Sequence, residues 1–482
     1  MDGKRPTIAA LHGMVAAAHP LAAQAGAKLL AAGGNAFDAA AAIAAALAVV
    51  EPFLSGPAGA GVAICAIAAE QRVRVLDFVP RRPPAGSGGA LVCGTPGSLA
   101  GWCELATAHG RKKLYDIFAP AIALARDGHA LAGFAAAGMN GAIPALQDKP
   151  FFADWRSAYL GHGSVTPDAG GLLRQPDLAR IFEVIASEGP EHFYRGALGR
   201  KIVAHVQSLG GGLTTQDMAA FSPAWVEPLE AAYRGLLVHT NPGAGDALAL
   251  ALRILDGFDL AAMERGGAEQ LDTVWRAIRL AGDAAGRGRS DEAVATLRAR
   301  LRDAQPVEAA GPDSPVLSTS FAVADREGNA VCVSQSLGGV FGCGVVVPGT
   351  GICLNNLVPA AVLAPVIATR EGKPVLLLGA AGGDAASLPQ LQVLLRHVDA
   401  GLAIQDAIEA PRARLGEGGR VQAETCATAA IAEALRRRGH VLEEMADGSA
   451  PVGAVQGIAI DPETGVATGG ADPRRDGYVA VP

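Results

Sequence analysis

Fifteen consecutive residues, Ala36 to Val50, read Ala-Phe-Asp-Ala-Ala-Ala-Ala-Ile-Ala-Ala-Ala-Leu-Ala-Val-Val, with Asp38 the sole charge. A helix of that composition is apolar on every face, and such a helix must be buried. Crossing a bilayer takes about 20 residues, so this run is too short to span one and has to be covered by protein. Its small side chains let a sheet come close. The ends are marked: Asn35 with Asp38 three residues on is a capping signal, and Pro52 stops the run. Upstream, Pro20 suits a first helical turn, Leu21, Ala25, Leu29 and Ala32 recur on one face, and Gly33-Gly34 ends that helix. The first third of the chain is expected to be helical, and residues 110 to 305 to be mostly helices with loops.

The pattern changes near residue 317. Residues 306 to 317, Pro-Val-Glu-Ala-Ala-Gly-Pro-Asp-Ser-Pro-Val-Leu, have no periodicity and read as a linker. Phe321 to Asp325 then alternates as a strand, Arg326-Glu-Gly-Asn329 supplies turn chemistry, and Ala330 to Ser336 returns as a hairpin. Further strands are expected at 344–347, 352–356 and, across Arg370-Glu-Gly-Lys373, at 375–378, with helices near 385–400 and 427–438. Ser318 and Thr319 stand where the first strand begins. Their hydroxyls are candidate nucleophiles; the simpler reading is two polar residues opening an ordinary strand.

Composition excludes several classes. Forty Lys and Arg against 47 Asp and Glu give a net charge of -7, and the basic residues form no stripe, so nucleic acid is not an expected partner. With 482 residues, half of them hydrophobic, the chain can bury a large core as two domains or one two-part domain. Seven cysteines, with no Cys-x-x-Cys pair and no histidine cluster, argue against zinc and a disulfide framework; free thiols on buried strands are expected. The absence of a P-loop and of a well-placed Gly-x-Gly-x-x-Gly leaves no nucleotide cofactor to expect. No metal or other cofactor is expected. The N-terminus has no continuous apolar segment before a small-residue cleavage site, so no signal peptide is read.

From Gly13 almost to the C-terminus the chain resembles the γ-glutamyltransferase (glutathione hydrolase) family. The landmarks run in order: Gly13-Met-Val-Ala-Ala-Ala-His19-Pro20, Gly33-Gly-Asn-Ala-Phe-Asp38, Val50-Glu51-Pro52 and Thr95-Pro-Gly-Ser-Leu-Ala-Gly-Trp102. They continue through Gln175-Pro-Asp-Leu-Ala179, Phe193-Tyr-Arg-Gly196, Gly211-Gly-Leu-Thr214 and Tyr233-Arg-Gly235. The C-terminal part adds Asp325 to Val331, Pro348 to Asn356, Gly382-Gly383, Ala410-Pro-Arg412 and Ala471-Asp-Pro-Arg474. The resemblance implies an α+β fold of the N-terminal nucleophile (Ntn) hydrolases, the αββα sandwich of two stacked antiparallel sheets with outer helix layers. It also implies self-cleavage before Ser318 into a large piece, 1–317, and a small piece, 318–482, which stay associated in one integrated fold.

The same resemblance assigns roles. Ser318 aligns with the family's catalytic threonine, and its α-amine, freed by cleavage, would be the base. Gly382 and Gly383 match the glycines whose N–H groups face the oxyanion, although Gly-Gly after a strand is also a plain turn. Ser336 matches a hydroxyl that hydrogen-bonds the nucleophile; a strand-end serine in water is the alternative. Thr319 matches the second threonine of the motif, and a register one residue off would make it the nucleophile.

Departures from the family concentrate at the acyl pocket. The family's Asp-x-Arg-Glu run is Asp77-Phe-Val79-Pro80, so Val79 replaces the arginine that would clamp a glutamyl α-carboxylate. Arg81 or Arg82 would have to reach back to replace it. Gly338, Leu357 and Ala360 stand for an asparagine, a glutamine and an acidic residue, and Ala361-Val362 for a Ser-Ser pair. Burying a zwitterion with unpaired charges costs several kcal/mol per ion. The expectation is a self-processing Ntn amidohydrolase cleaving an amide of a smaller or more apolar acid through a covalent acyl-enzyme. Hydrolases of oxamate, of β-lactam acyl side chains and of poly-γ-glutamate are known in the family. The alternatives are a true glutathione hydrolase or γ-glutamyltransferase, and a pseudoenzyme acting as a binding or structural protein. A conventional serine hydrolase is disfavoured by the lack of a Gly-x-Ser-x-Gly elbow. The expected partner is a small-molecule amide, with no nucleic acid and no membrane, and a higher oligomer is left open. Many relatives are exported, so the missing signal points to the cytoplasm.

Overall fold

The computed structural model describes residues 5–79, 92–160, 168–303, 317–357, 363–382, 387–416 and 419–482. Two seven-stranded sheets stack face to face. In one, the strand Leu317–Asp325 is central, paired on one side with Gly13–Ala17 and on the other with Ala330–Gly338. Ala60–Ile67, Arg72–Asp77 and Ala224–Val226 continue the sheet beyond the return strand, and Tyr478–Ala480 closes the other edge. The second sheet runs Ile8–Ala10, Ala467–Ala471, Ala454–Ile460, Lys373–Ala381, Val366–Arg370, Leu236–Thr240, Leu229–Tyr233, and every pair in both sheets is antiparallel.

Alternation along the strands sorts side chains into layers. Ala322 and Ala324 face inward to a core shared with Ile367, Leu377 and Ile458 of the second sheet. Phe321 and Val323 point outward to a helical layer containing Ala36–Val50, all fifteen residues of which are buried. A second helical layer, built on Gly245–Leu255, Ala268–Ala284 and Ser387–Val398, covers the outer face of the second sheet. The result is the αββα sandwich expected from the sequence.

Local chemistry explains the elements that the sequence made legible. Asn35 and Asp38 form a reciprocal capping box, which satisfies donors otherwise orphaned at a helix start. Asp38 does more than cap: its carboxylate also accepts from the backbone N–H groups of Arg111 and Lys112, tying the helix to a distant loop.

Several expectations need correction. The first third is not all helical, because Ala60–Ile67 is a strand buried along its whole length. Its Ala-rich apolar run carries no alternation, since both of its faces are covered. Residues 224–240 form three strands rather than helices and loops. The strand that carries Ser318 begins at Leu317, four residues before the expected 321, and the return strand continues to Gly338. The strands expected at 344–347 and 352–356 shrink to Val346–Val347 and Ile352–Cys353, and the helix expected at 427–438 is split into Thr425–Thr428 and Ala432–Arg437. All seven cysteines are free, but only Cys65, Cys332 and Cys353 lie on buried strands; Cys103 is on a helix, Cys93 and Cys343 are in loops, and Cys426 is exposed. Residues 306–316, Arg81, Arg82, Ala360, Ala361, Val362 and Gly383 lie outside the described residues.

Candidate active site

The hairpin register shifts between the pairs Leu317–Gly338 and Thr319–Gln335, so a bulge on the return strand sets Ser336 and Leu337 opposite Ser318. Such an insertion disturbs the pairing and re-aims a side chain. Ser318 is fully buried, and its Oγ makes no hydrogen bond to any described residue. The carbonyl of Leu317, on the N-terminal side of the same peptide bond, accepts a hydrogen bond from Ser336 Oγ at 2.5 Å. Ser336 in turn accepts from the N–H of Gly338 at 2.8 Å. Ser336 is therefore buried rather than a wet strand end, and its hydroxyl is aimed at the carbonyl preceding Ser318, not at Ser318 Oγ. Gly338 adopts φ +100°, a conformation that an L side chain rarely takes, which fits the glycine at that place.

The second sheet closes over this end. A Cβ on Gly379 would stand 3.0 Å from Ser320 Cβ and 3.3 Å from Cys332 Sγ, so the sheets meet here with no room for a side chain. Ser334 Oγ donates to the Ala380 carbonyl at 3.4 Å. Residue numbers thus rise together along Lys373–Ala381 and the return strand, which carries Gly382 toward the Ser318–Ser336 end.

Thr319 points the other way, as strand alternation requires. Its Oγ1 donates to Glu51 Oε2 at 2.5 Å. Glu51 follows the last residue of the buried helix and is itself fully buried, with Oε1 lacking a described partner. Burial raises its carboxyl to about 7, against the opposing pull of the Thr319 hydrogen bond and the Arg475 charge. Arg475 Nη1 donates to the carbonyl of Ser318 at 3.0 Å, and its guanidinium lies 4.8 Å over the ring of Phe134. The two peptide groups that flank Ser318 are consequently both gripped, one by a hydroxyl and one by a cation.

Sequence reasoning quoted Glu51 inside a motif without giving it a role, and it passed over Arg475. The available signal for Glu51 was a carboxylate ending an otherwise apolar run, since a buried charge needs a partner. Nothing local marked Arg475, whose contact spans 157 residues.

The pocket substitutions fall around the same end. Phe78 N–H donates to the Gly61 carbonyl, continuing the pairing of Arg72–Asp77, so Val79 stands beside Ala60, whose other neighbour is Ser336. Gly338 pairs with Leu317, and Asn356 N–H bonds the Leu337 carbonyl, which brings Leu357 alongside. These positions offer no charged group. Ser98 Oγ is buried without a described partner and lies at Gly59, next to the Ser336 carbonyl. Among the described residues no group of three His, Cys, Asp or Glu could hold a metal, and no helix is long and apolar enough to cross a membrane.

Comparison with known proteins agrees with this arrangement. The Acylase ACY 1 proenzyme of Pseudomonas sp. (strain V22) is 31% identical over 96% of this chain and 92% of its own length. The Glutathione hydrolase proenzyme of Bacillus subtilis (strain 168) is 29% identical over 96% and 90%. The crystal structure of cephalosporin acylase from Bacillus halodurans superposes with a TM-score of 0.90 at 31% identity, covering 100% of this chain and 98% of that one. The gamma-glutamyltranspeptidase family model matches residues 22–360 and 358–481. Fold, sequence and the two sheets around Ser318 converge: the chain belongs to the gamma-glutamyltranspeptidase family of Ntn hydrolases.

Proposed function

We propose that the protein is a self-processing amidohydrolase in which Ser318 first cuts its own chain and then hydrolyses an amide of an apolar or small carboxylic acid. The observation that carries this reading is the juxtaposition at one peptide bond of an unengaged buried hydroxyl, Ser318 Oγ, with a carbonyl, Leu317 O, already polarised by Ser336. In processing, Ser318 Oγ bonds to the Leu317 carbonyl carbon, and the bond to Ser318 N breaks. The hydroxyl proton goes to that nitrogen. Water then hydrolyses the ester, leaving a Leu317 carboxylate and a free Ser318 with its hydroxyl restored.

Turnover repeats the chemistry on a substrate amide, with the Ser318 α-amine as the base. It takes the hydroxyl proton as Oγ attacks and returns it to the leaving amine. Gly382 and Gly383 are assigned the oxyanion, and Ser336 the orientation of the reacting oxygen. Val79, Gly338 and Leu357 favour an acyl group without a buried charge, and relatives named as acylases support amide hydrolysis. A denaturing gel with intact masses tests the reading. Fragments 1–317 and 318–482 together with amide hydrolysis are expected; a single uncut, inactive chain would mean a pseudoenzyme.

A further inference from the structure

Beneath the backbone of Ser318 lies a set of buried charges that the chemistry above does not use. Arg475 holds the Ser318 carbonyl, Glu51 holds Thr319, and each feels the other's charge. Asp476 adds a carboxyl that burial raises and the Phe134 and Ala135 N–H groups lower. Asp472 and Arg412 act on Arg475 from farther along the C-terminal segment and its neighbour. The flanking strand Gly13–Ala17 leads to His19, which burial and His129 depress to about 4, so it is uncharged near neutrality. The return strand presents Ser334 and Ser336 here, and the second sheet Gly379 to Gly382, none of them titratable in this range.

Cleavage would create an α-amine on Ser318, two bonds from the carbonyl carbon that Arg475 grips through its oxygen. To act as a base that amine must be unprotonated. An ordinary α-amine titrates at about 7.7–8.0 and is mostly ammonium at neutral pH. A guanidinium a few ångströms away disfavours a second cation, whereas a nearby carboxylate favours it.

We propose that Arg475 is a positioning residue that fixes the Ser318 backbone and keeps its α-amine in the free-base form, and that Glu51, held by Thr319, is the counter-charge that sets how strongly Arg475 does so. This rests on the reading of Ser318 as a nucleophile that becomes N-terminal. It assigns work to two residues whose side chains touch neither the attacked carbonyl nor the oxyanion glycines. Arginine suits the task because it stays charged when buried.

The test titrates the amine directly, without a substrate. Potassium cyanate carbamoylates only unprotonated amines, and the mass of the N-terminal peptide of fragment 318–482 reports the reaction at each pH. Wild type is expected to titrate below the ordinary α-amine range. Arg475→Gln should move it up by about one unit or more toward the ordinary value, and Glu51→Gln, which removes a carboxylate ionised above about 7, should lower the part of the titration that lies above that pH. Identical midpoints in the three processed proteins overturn the proposal. If Arg475→Gln folds but does not cleave, rescue of cleavage by Arg475→Lys supports positioning by the cation, and failure of that rescue with an unmoved midpoint in Glu51→Gln overturns it. Absence of cleavage in wild type is a different result, which rejects the proposed function itself.

Discussion

Thr319 Oγ1 donates a 2.5 Å hydrogen bond to Glu51 Oε2 across 268 residues of sequence, joining the strand that bears the candidate nucleophile to the end of the most deeply buried helix. This bond separates the two adjacent hydroxyls. Ser318 Oγ has no described partner and lies beside the Leu317 carbonyl, whereas Thr319 Oγ1 is engaged with Glu51 on the opposite face.

Ser318→Ala is expected to abolish cleavage completely, and Ser318→Thr to retain it. N-terminal sequencing of the small fragment should read Ser318 first. A first residue of Thr319, or the same two fragments in Ser318→Ala, would remove Ser318 as the processing nucleophile.

Thr319→Val keeps shape and deletes only the hydroxyl. Cleavage should survive, but Glu51 loses its one described partner, a change that typically costs about 1–3 kcal/mol. Chemical denaturation of wild type and variant measures it; an unchanged midpoint would show that the bond contributes nothing.

Ser336→Ala removes the donor to the Leu317 carbonyl. Losing one such donor slows comparable acyl chemistry by roughly 10²–10³-fold. A time course of band conversion should show that delay, with the fold intact by circular dichroism.

The raised carboxyl of Glu51 makes stability fall with pH. The folded state binds this proton up to about 7, while the unfolded chain releases it near about 4.3. The penalty is therefore absent in acid, develops between those values and is complete above 7, reaching about 3 kcal/mol in order of magnitude. Glu51→Gln should gain stability relative to wild type as pH rises from 5 to 8. A difference that stays flat across that range would contradict the buried, partly neutral carboxyl.

Activity on a chromogenic γ-glutamyl anilide should be negligible even in fully processed protein, because the described pocket positions Val79, Gly338 and Leu357 carry no charge to pair with the α-carboxylate. Efficient turnover would restore the glutathione alternative and direct attention to Arg81 and Arg82.

The parts legible in the sequence were those with short-range grammar. The Asn35–Asp38 box, the Pro52 stop and the Arg326–Asn329 turn each announce themselves within a few residues. Ala60–Ile67 did not, because a strand covered on both faces loses the alternation that marks strands, and its alanines read as helix. Ser318 and Ser336 are candidates named through motif order. Glu51 and Arg475 belong to the same site only through tertiary contacts, so no spacing could disclose their pairing.

The strand that starts at Leu317 has a hydrogen-bonded neighbour on each side, and each sheet takes strands from both sides of the 317–318 bond. Chain ends normally fray, and their disorder would have to be frozen out at each turnover. An end made by the proposed cut at Ser318 would lie beside the return strand, three residues before pairing with Gly13–Ala17 begins at Phe321. Under the proposed processing its entropy would already have been surrendered by folding, the attacking oxygen and its own base would start each cycle in place, and the pieces would part only by unravelling both sheets.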